Sequence, residues 1–426
     1  MLSPEPAERA VLDRIAGRGT EIVNRAVAWA EINSGSRNYP GLERQREALE
    51  PVLARLPGML RRMPLRPTVE IDAGGREAGL THPDALLLTV RPEAPVQAAL
   101  TGHYDTVYSP DSPFQQVSTR SDGALVGPGI ADMKGGLSVM LAALEAFETF
   151  EGREALGYRV LLSPDEEIGS PASAPLLAEL GAGAHVGLTY EPALGDGALA
   201  AARKGSGNFH VLIRGRAAHA GRDFGTGRNA VGAAARLGAY LDGLNGKREG
   251  VTINIARIDG GGPLNVVPDA AVLRFNIRAP EPADLSWAEW AVGEAVREIN
   301  SQGVTAEVFG GFTRPPKPFK GAQQSLFEAI AEAGRTIGQQ VSWRPSGGVC
   351  EGNNLFAAGA PNADSLGVCG GDIHSSGEYA WPASFAERAQ LSAMILMRLA
   401  TGVIDGPAIK ARLAGERGAA GELKPG

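Results

Sequence analysis

The sequence predicts an α/β protein: a three-layer α/β/α unit interrupted by a smaller α+β unit of ferredoxin-like order. Three observations predict it. Strand-length apolar runs alternate with helical stretches over the first 200 residues, the pattern of a sheet with helices packed on its faces. From about 207 to 315 the order changes to strand, helix, strand, strand, helix, strand, which is βαββαβ. Beyond "PPKPFKG" helical stretches return, so 1–206 and 316–426 read as two parts of one unit around an insert at 207–315.

Taken in order, residues 7–32 and 41–56 read as helices, and "ALLLTV" and "VQAALTGHYD" as buried strands from their continuous apolar runs. "MKGGLSVMLAALEAFETF" is a helix, followed by the strands "YRVLL" and "HVGLTY". The insert contributes strands "FHVLIRG", "VTINIARI", "AVLRFNIRA" and "VTAEVF", with helices at 227–243 and 284–300. Helices at 323–337 and 384–400 complete the first unit, and the small, polar segment 411–426 is expected to fray. In such sheets, sites gather beyond the carboxyl ends of the strands.

Composition narrows the function. A 43% hydrophobic, 21% charged chain of 426 residues is an ordinary globular protein with ample length for a core. Its net charge of −7 is mixed in sign, without the basic stripe that nucleic acid requires. No apolar run approaches the ~20 residues of a bilayer span, and "MLSPEPAERAVLDRIAG" has no secretory apolar region, so the expected location is cytoplasmic with no membrane partner. Cys350 and Cys369 are too few for a disulfide framework and lack the spacing of a thiolate zinc site.

The chemistry concentrates in acids at strand ends. "SPDEEIGSP" packs Asp165, Glu166 and Glu167 behind a buried strand, where adjacent carboxylates repel unless a cation or proton compensates them. "LTGHYDTVY" sets His103 and Asp105 two apart on one strand face, "GPGIADMKGG" places Asp132 in a glycine-punctuated loop, and "LTYEPAL" ends a strand with Glu191. "GGDIHSSGEY" adds His374 in a polar loop. Singly, each has a bland reading: a strand-end His bonded to its neighbour, a helix N-cap, a solvated acid. Together they form an N/O ligand set suited to zinc without thiolate. Five such ligands exceed one open tetrahedral ion but suit two ions sharing a bridging carboxylate.

At this point the chain resembles the dinuclear zinc exopeptidases and deacylases. "GHYDTV", "GPGIADMKGG", "SPDEEIGS", "LTYEPA", "AAHAG" and "GGDIHSSGEY" occur in that family's order over about residues 10 to 400. The group includes bacterial glutamate carboxypeptidase, whose wording and domain lengths run closest, and succinyl-diaminopimelate desuccinylase, acetylornithine deacetylase and aminoacylase. The resemblance implies two Zn²⁺ per chain, with Co²⁺ or Mn²⁺ as substitutes. Asp132 would bridge them, His103 and Glu191 would hold one, and Glu167 and His374 the other. Asp105 would orient His103, Glu166 would act as general base, and the Asp132–Met133 peptide would be cis. As strand neighbours, Glu166 and Glu167 would point to opposite sides; Asp165 has no implied role.

By the same resemblance the insert is a lid and dimerisation domain of a homodimer. His219 would reach the partner subunit's site and stabilise the oxyanion. Asn265 and Arg314 would hold a substrate carboxylate, with Arg278 and Lys204 as further basic candidates. Gly347 and Gly348 in "SGGVCEGNN" match the substrate-side glycine loop, although Cys350–Glu351 stands where Ser or Thr followed by Asp is usual. His82, His185 and His210 match no motif and read as structural or exposed. The implied activity is hydrolysis of an amide next to an amino-acid carboxylate, on a short peptide or an N-acyl amino acid. Competing readings are a cysteine nucleophile, Cys350 with His374, and a non-catalytic amino-acid or peptide binder. A phosphate loop at "GPGIADMKGG" is disfavoured because it lacks GxxxxGK[ST] and Asp132 would repel phosphate.

Overall fold

Alternation along the strands decides how the layers stack. The computed structural model describes residues 3–422. Its main sheet contains β1 (Met59–Met63), β2 (Ala85–Val90), β3 (Val96–His103), β4 (Leu156–Ser163), β5 (Val186–Thr189) and, after the insert, the short strand Asn362–Ala363. The spatial order is β1, β2, β4, β3, β5, Asn362–Ala363; β3 runs parallel to β4 and β5, while β1 and β2 form an antiparallel edge. Leu86, Leu88, Leu100, Val160 and Leu162 face a core built with α1 (Pro6–Ala16), α2 (Gly19–Ala30), α3 (Tyr39–Leu53), α4 (Gly136–Phe147), α8 (Ala322–Thr336) and α10 (Pro382–Ala400). The alternate residues Leu87, Ala99 and Leu161 face α5 (Ala174–Ala182) and α9 (Glu351–Ala357). Three layers follow directly from this period of two.

The insert has its own core. Its strands β6 (Gly205–Arg214), β7 (Thr252–Gly260), β8 (Ala270–Ala279) and β9 (Thr305–Arg314) pair antiparallel in the order β7, β8, β6, β9. Val211, Ile213, Leu273, Phe275 and Ile277 pack under α6 (Ala230–Asp242) and α7 (Pro282–Ser301). The opposite face, at Leu212 and Val272, is met by Ile71 from a hairpin of the main unit.

Local readings change in three places. The helix expected over 7–32 breaks at Gly17–Arg18 into α1 and α2. The tail expected to fray forms a helix, Gly406–Glu422, because Leu413 packs on Ala322 and Phe356 and Glu416 accepts from Ala322 N (3.0 Å); residues 423–426 lie outside the described part. Glu166 and Glu167 stand in a 3₁₀ turn, Glu166–Ile168, and not in a strand.

Candidate active site

The carboxyl ends of β3, β4 and β5 deliver the acids and histidines to one place. His103 is the last residue of β3, Glu166 and Glu167 follow β4, and Glu191 follows β5. Asp132 arrives from the turn Ile130–Gly135, in which the Asp132–Met133 peptide is cis, as expected. His374 comes from a late loop, on a left-handed backbone with φ of 64°. His103 Nε2 stands 3.2 Å from Asp132 Oδ1 and 3.8 Å from Glu191 Oε1. On the other side, His374 Nε2 stands 3.4 Å from Asp132 Oδ2 and 3.2 Å from Glu167 Oε2. Two triads of possible metal ligands result, His103–Asp132–Glu191 and Asp132–Glu167–His374, sharing Asp132.

Electrostatics test whether this donor set fits cations. Burial, followed by the neighbouring Asp132, pushes Glu167 well above the ordinary carboxylate range and Glu191 up to about 7. Burial also opposes ionisation of Asp132, but hydrogen bonding to His103 and His374 outweighs it and holds this carboxyl far below its usual value. The same bonds to Asp132 and Glu167 raise His374 to about 11. Three clustered acids and two imidazoles that titrate against one another call for fixed positive charge, which divalent ions supply.

Asp105 and Asp165 organise the turn that carries the acids. Asp105 is fully buried; it accepts from Glu166 N and Glu167 N (3.1 Å each) and from Ser36 Oγ (2.7 Å), and its Oδ1 stands 3.3 Å from His103 Nδ1. Asp165, without a role in the sequence reading, accepts from Ala172 N (2.7 Å) and Ser173 N (3.1 Å) and so closes the loop beyond the acids. Glu166 lines the cleft and pairs through Oε1 with Arg314 Nη2 at 2.7 Å.

That cleft, about 410 Å³, lies between the two units. The main unit contributes Glu166, Glu191, Arg203 and Gly348, and the insert contributes Ser206, Asn208, Asn276 and Arg278. Arg314 reaches the same wall but is fully enclosed, donating to Asn354 Oδ1 and Ser170 Oγ (both 2.8 Å) as well as to Glu166. Arg278 is half-buried; Nε donates to Asn276 Oδ1 (3.0 Å) and Nη1 to the Gly347 carbonyl (3.2 Å), and Nη2 has no hydrogen bond among the described residues. Lys204 is occupied with the Gly250 carbonyl.

His219 and Asn265 are not brought to this cleft. Both are exposed on the insert, where Ala220 N donates to the Asn265 carbonyl (2.8 Å) and His219 pairs with Val266 in a β-bridge. His82 bonds Thr68 Oγ1 and His185 accepts from Gln97 N, so both are structural, and His210 is half-buried. Cys350 is fully buried, its thiol pushed up by that burial, and does not line the cleft with His374. That placement removes the cysteine-nucleophile reading, which needs a thiolate beside the imidazole.

Comparison with known proteins agrees with this geometry. The model of Peptidase family M20/M25/M40 matches residues 99–398. The chain belongs to the M20/M25/M40 peptidase family. It is 29% identical over 339 residues to carboxypeptidase G2 of Pseudomonas sp. (strain RS-16), covering 77% of this chain and 80% of that protein. It is 27% identical to succinyl-diaminopimelate desuccinylase 1 of Alteromonas mediterranea over 67% of this chain and 77% of the relative. The M20 family metallo-carboxypeptidase of Sulfolobus solfataricus shares the fold, with a TM-score of 0.70 at 15% identity, covering 89% of this chain and 99% of that one. Two further side chains support the site: Glu378 binds the loop that carries Asp132, and Tyr108 binds Glu378 and the Ser375 carbonyl. Both stand inside the motifs "LTGHYDTVY" and "GGDIHSSGEY", but no spacing rule singled them out.

Proposed function

We propose that the chain is a dinuclear zinc carboxypeptidase of the glutamate carboxypeptidase type, cleaving the amide that joins a C-terminal amino acid to an acyl group. The observation that carries this reading is the shared Asp132, whose two oxygens face two different histidines, each with its own further carboxylate. His103, Glu191 and Asp132 would hold one ion, and Glu167, His374 and the same Asp132 the other, with Co²⁺ or Mn²⁺ as substitutes. When bound, the ions supply Lewis acidity to the scissile carbonyl and acidify a water.

The rest of the reaction belongs to the chain's own side chains. Glu166 is the proton carrier: Arg314 fixes Oε1, and Oε2 has no hydrogen-bond partner among the described residues. It accepts the proton from the attacking water and returns it to the leaving amine nitrogen. Arg278 Nη2 is available to the substrate carboxylate, whereas the Nη atoms of the fully enclosed Arg314 are engaged with Asn354, Ser170 and Glu166, and only its buried Nε is without a partner among the described residues. Gly348 leaves room on that wall, since a Cβ there would stand 3.3 Å from Arg203 Nη1.

His219 and Asn265 fit a site shared between two subunits. They are exposed together with Leu264 and Phe224 on the insert, an arrangement suited to entering the cleft of a second copy in a homodimer. No helix among the described residues is long and apolar enough to cross a membrane. The test is a hydrolysis screen with added zinc or cobalt. Release of glutamate from folate-type or N-acyl conjugates supports the reading; cleavage confined to acetyl or succinyl amides of other amino acids moves the assignment to a biosynthetic deacylase.

A further inference from the structure

The two triads depend on loops that are remote in sequence, the Asp132 turn and the His374 loop, and one carboxylate ties them together. Glu378 is fully buried. Its Oε1 accepts from Ala131 N and Asp132 N, both at 2.9 Å, and its Oε2 from Gly129 N at 3.1 Å. Its backbone carbonyl accepts from Gly127 N at 3.1 Å. The Tyr108 hydroxyl stands 2.7 Å from Glu378 Oε2 and 2.8 Å from the carbonyl of Ser375, the residue after His374. No basic side chain bonds Glu378 among the described residues, so its hydrogen bonds come from converging backbone N–H groups and one phenol. Only an acceptor with two free oxygens satisfies that nest; an amide would set a donor against donors.

We propose that Glu378, braced by Tyr108, is the positioning residue that fixes the backbone of Asp132 and holds the His374 loop against it, so that both ligand triads are formed before metal arrives. The proposal rests on the reading of this site as a metal centre. Its physical content is preorganisation. Every rotation of the Asp132 amide that would swing the shared carboxylate out of line must first break charge-assisted bonds to Glu378. Partners that orient metal ligands typically account for about 10–100-fold in metal affinity.

The test compares wild type, Glu378→Gln, Tyr108→Phe and Tyr158→Phe, each stripped and titrated with zinc against a chromophoric chelator. Tyr158→Phe is the control, since it too deletes the hydroxyl of a buried tyrosine, one that donates to Glu148 away from the ligands. Zinc affinity should fall about 10–100-fold in Glu378→Gln and by a smaller factor in Tyr108→Phe, and stay at the wild-type value in the control. Amides of Gly129, Ala131 and Asp132 should exchange faster in both variants without metal, and turnover should recover at saturating zinc. Should Glu378→Gln fail to fold, Tyr108→Phe carries the test alone. Wild-type affinity and exchange in Tyr108→Phe, or an equal loss in Tyr158→Phe, overturns the proposal. A wild-type protein that binds no zinc would instead overturn the metal-centre reading itself.

Discussion

Glu351 should make the protein less stable as pH rises, and Glu351→Gln should remove that dependence. The residue opens α9, wholly buried, with Oε1 accepting from Ser163 Oγ and Oε2 without a partner. Burial, only partly offset by Arg314 and Ser163, raises its pKa from 4.5 to about 8. The folded state therefore holds a proton that the unfolded chain releases above pH 4.5, and linkage makes stability fall between the two values. Three to four pH units at about 1.36 kcal/mol each give a loss of about 4–5 kcal/mol by pH 8. Below pH 4.5 the two proteins should be alike, because a protonated Glu and a Gln are nearly isosteric. At pH 8 the variant should be the more stable by most of that difference, with the gap opening across pH 5–8. Urea unfolding of both proteins at half-unit pH steps, with zinc held constant, measures it. Parallel curves would refute the reasoning, since they would mean that Glu351 is ionised in the fold at neutral pH.

Glu166→Gln should keep its metal and lose about 10²–10⁴-fold in kcat, because the amide cannot accept a proton; turnover at the wild-type rate would remove Glu166 from the reaction. Arg278→Ala should weaken substrates with a free α-carboxylate by about 1.5–3 kcal/mol relative to their amides, read as KM. Arg314→Ala should instead lower kcat on both substrate types alike, and a loss confined to carboxylates would return substrate binding to Arg314. In the proposed homodimer, Glu166→Gln and His219→Ala should each be nearly inactive. Mixed and allowed to exchange, they should recover activity in about a quarter of all sites; confirmed exchange without recovery would place His219 in its own subunit's site.

How much was legible in the sequence depended on whether a residue acts through a periodic or a spatial relation. Strands such as "ALLLTV" and "AVLRFNIRA" were readable because alternate residues must reach opposite cores, as Leu86 and Leu87 do. The convergence of His103, Asp132, Glu167, Glu191 and His374 was legible because these residues fall at strand ends or in glycine-containing loops and keep a family's order. Glu166 and Glu167 are spread by a 3₁₀ turn held by Asp105 and not by the strand alternation that the sequence suggests. Arg314 showed its charge in sequence but not its enclosure by Asn354, Ser170 and Glu166, which come from two segments distant from it and from each other. Glu378 and Asp165 were opaque for the same reason, since each serves backbone N–H groups that no side-chain pattern reveals.

The central claim is that one carboxylate, Asp132, serves two ions, and elemental analysis with activity tests it most directly. Zinc-reconstituted wild type should hold two ions per chain. Asp132→Asn should hold fewer than one at the same free zinc and lose activity, because both triads share that side chain. His374→Ala should retain the ion of His103 and Glu191. At most one ion in the wild type, or two ions retained without Asp132, would contradict the account.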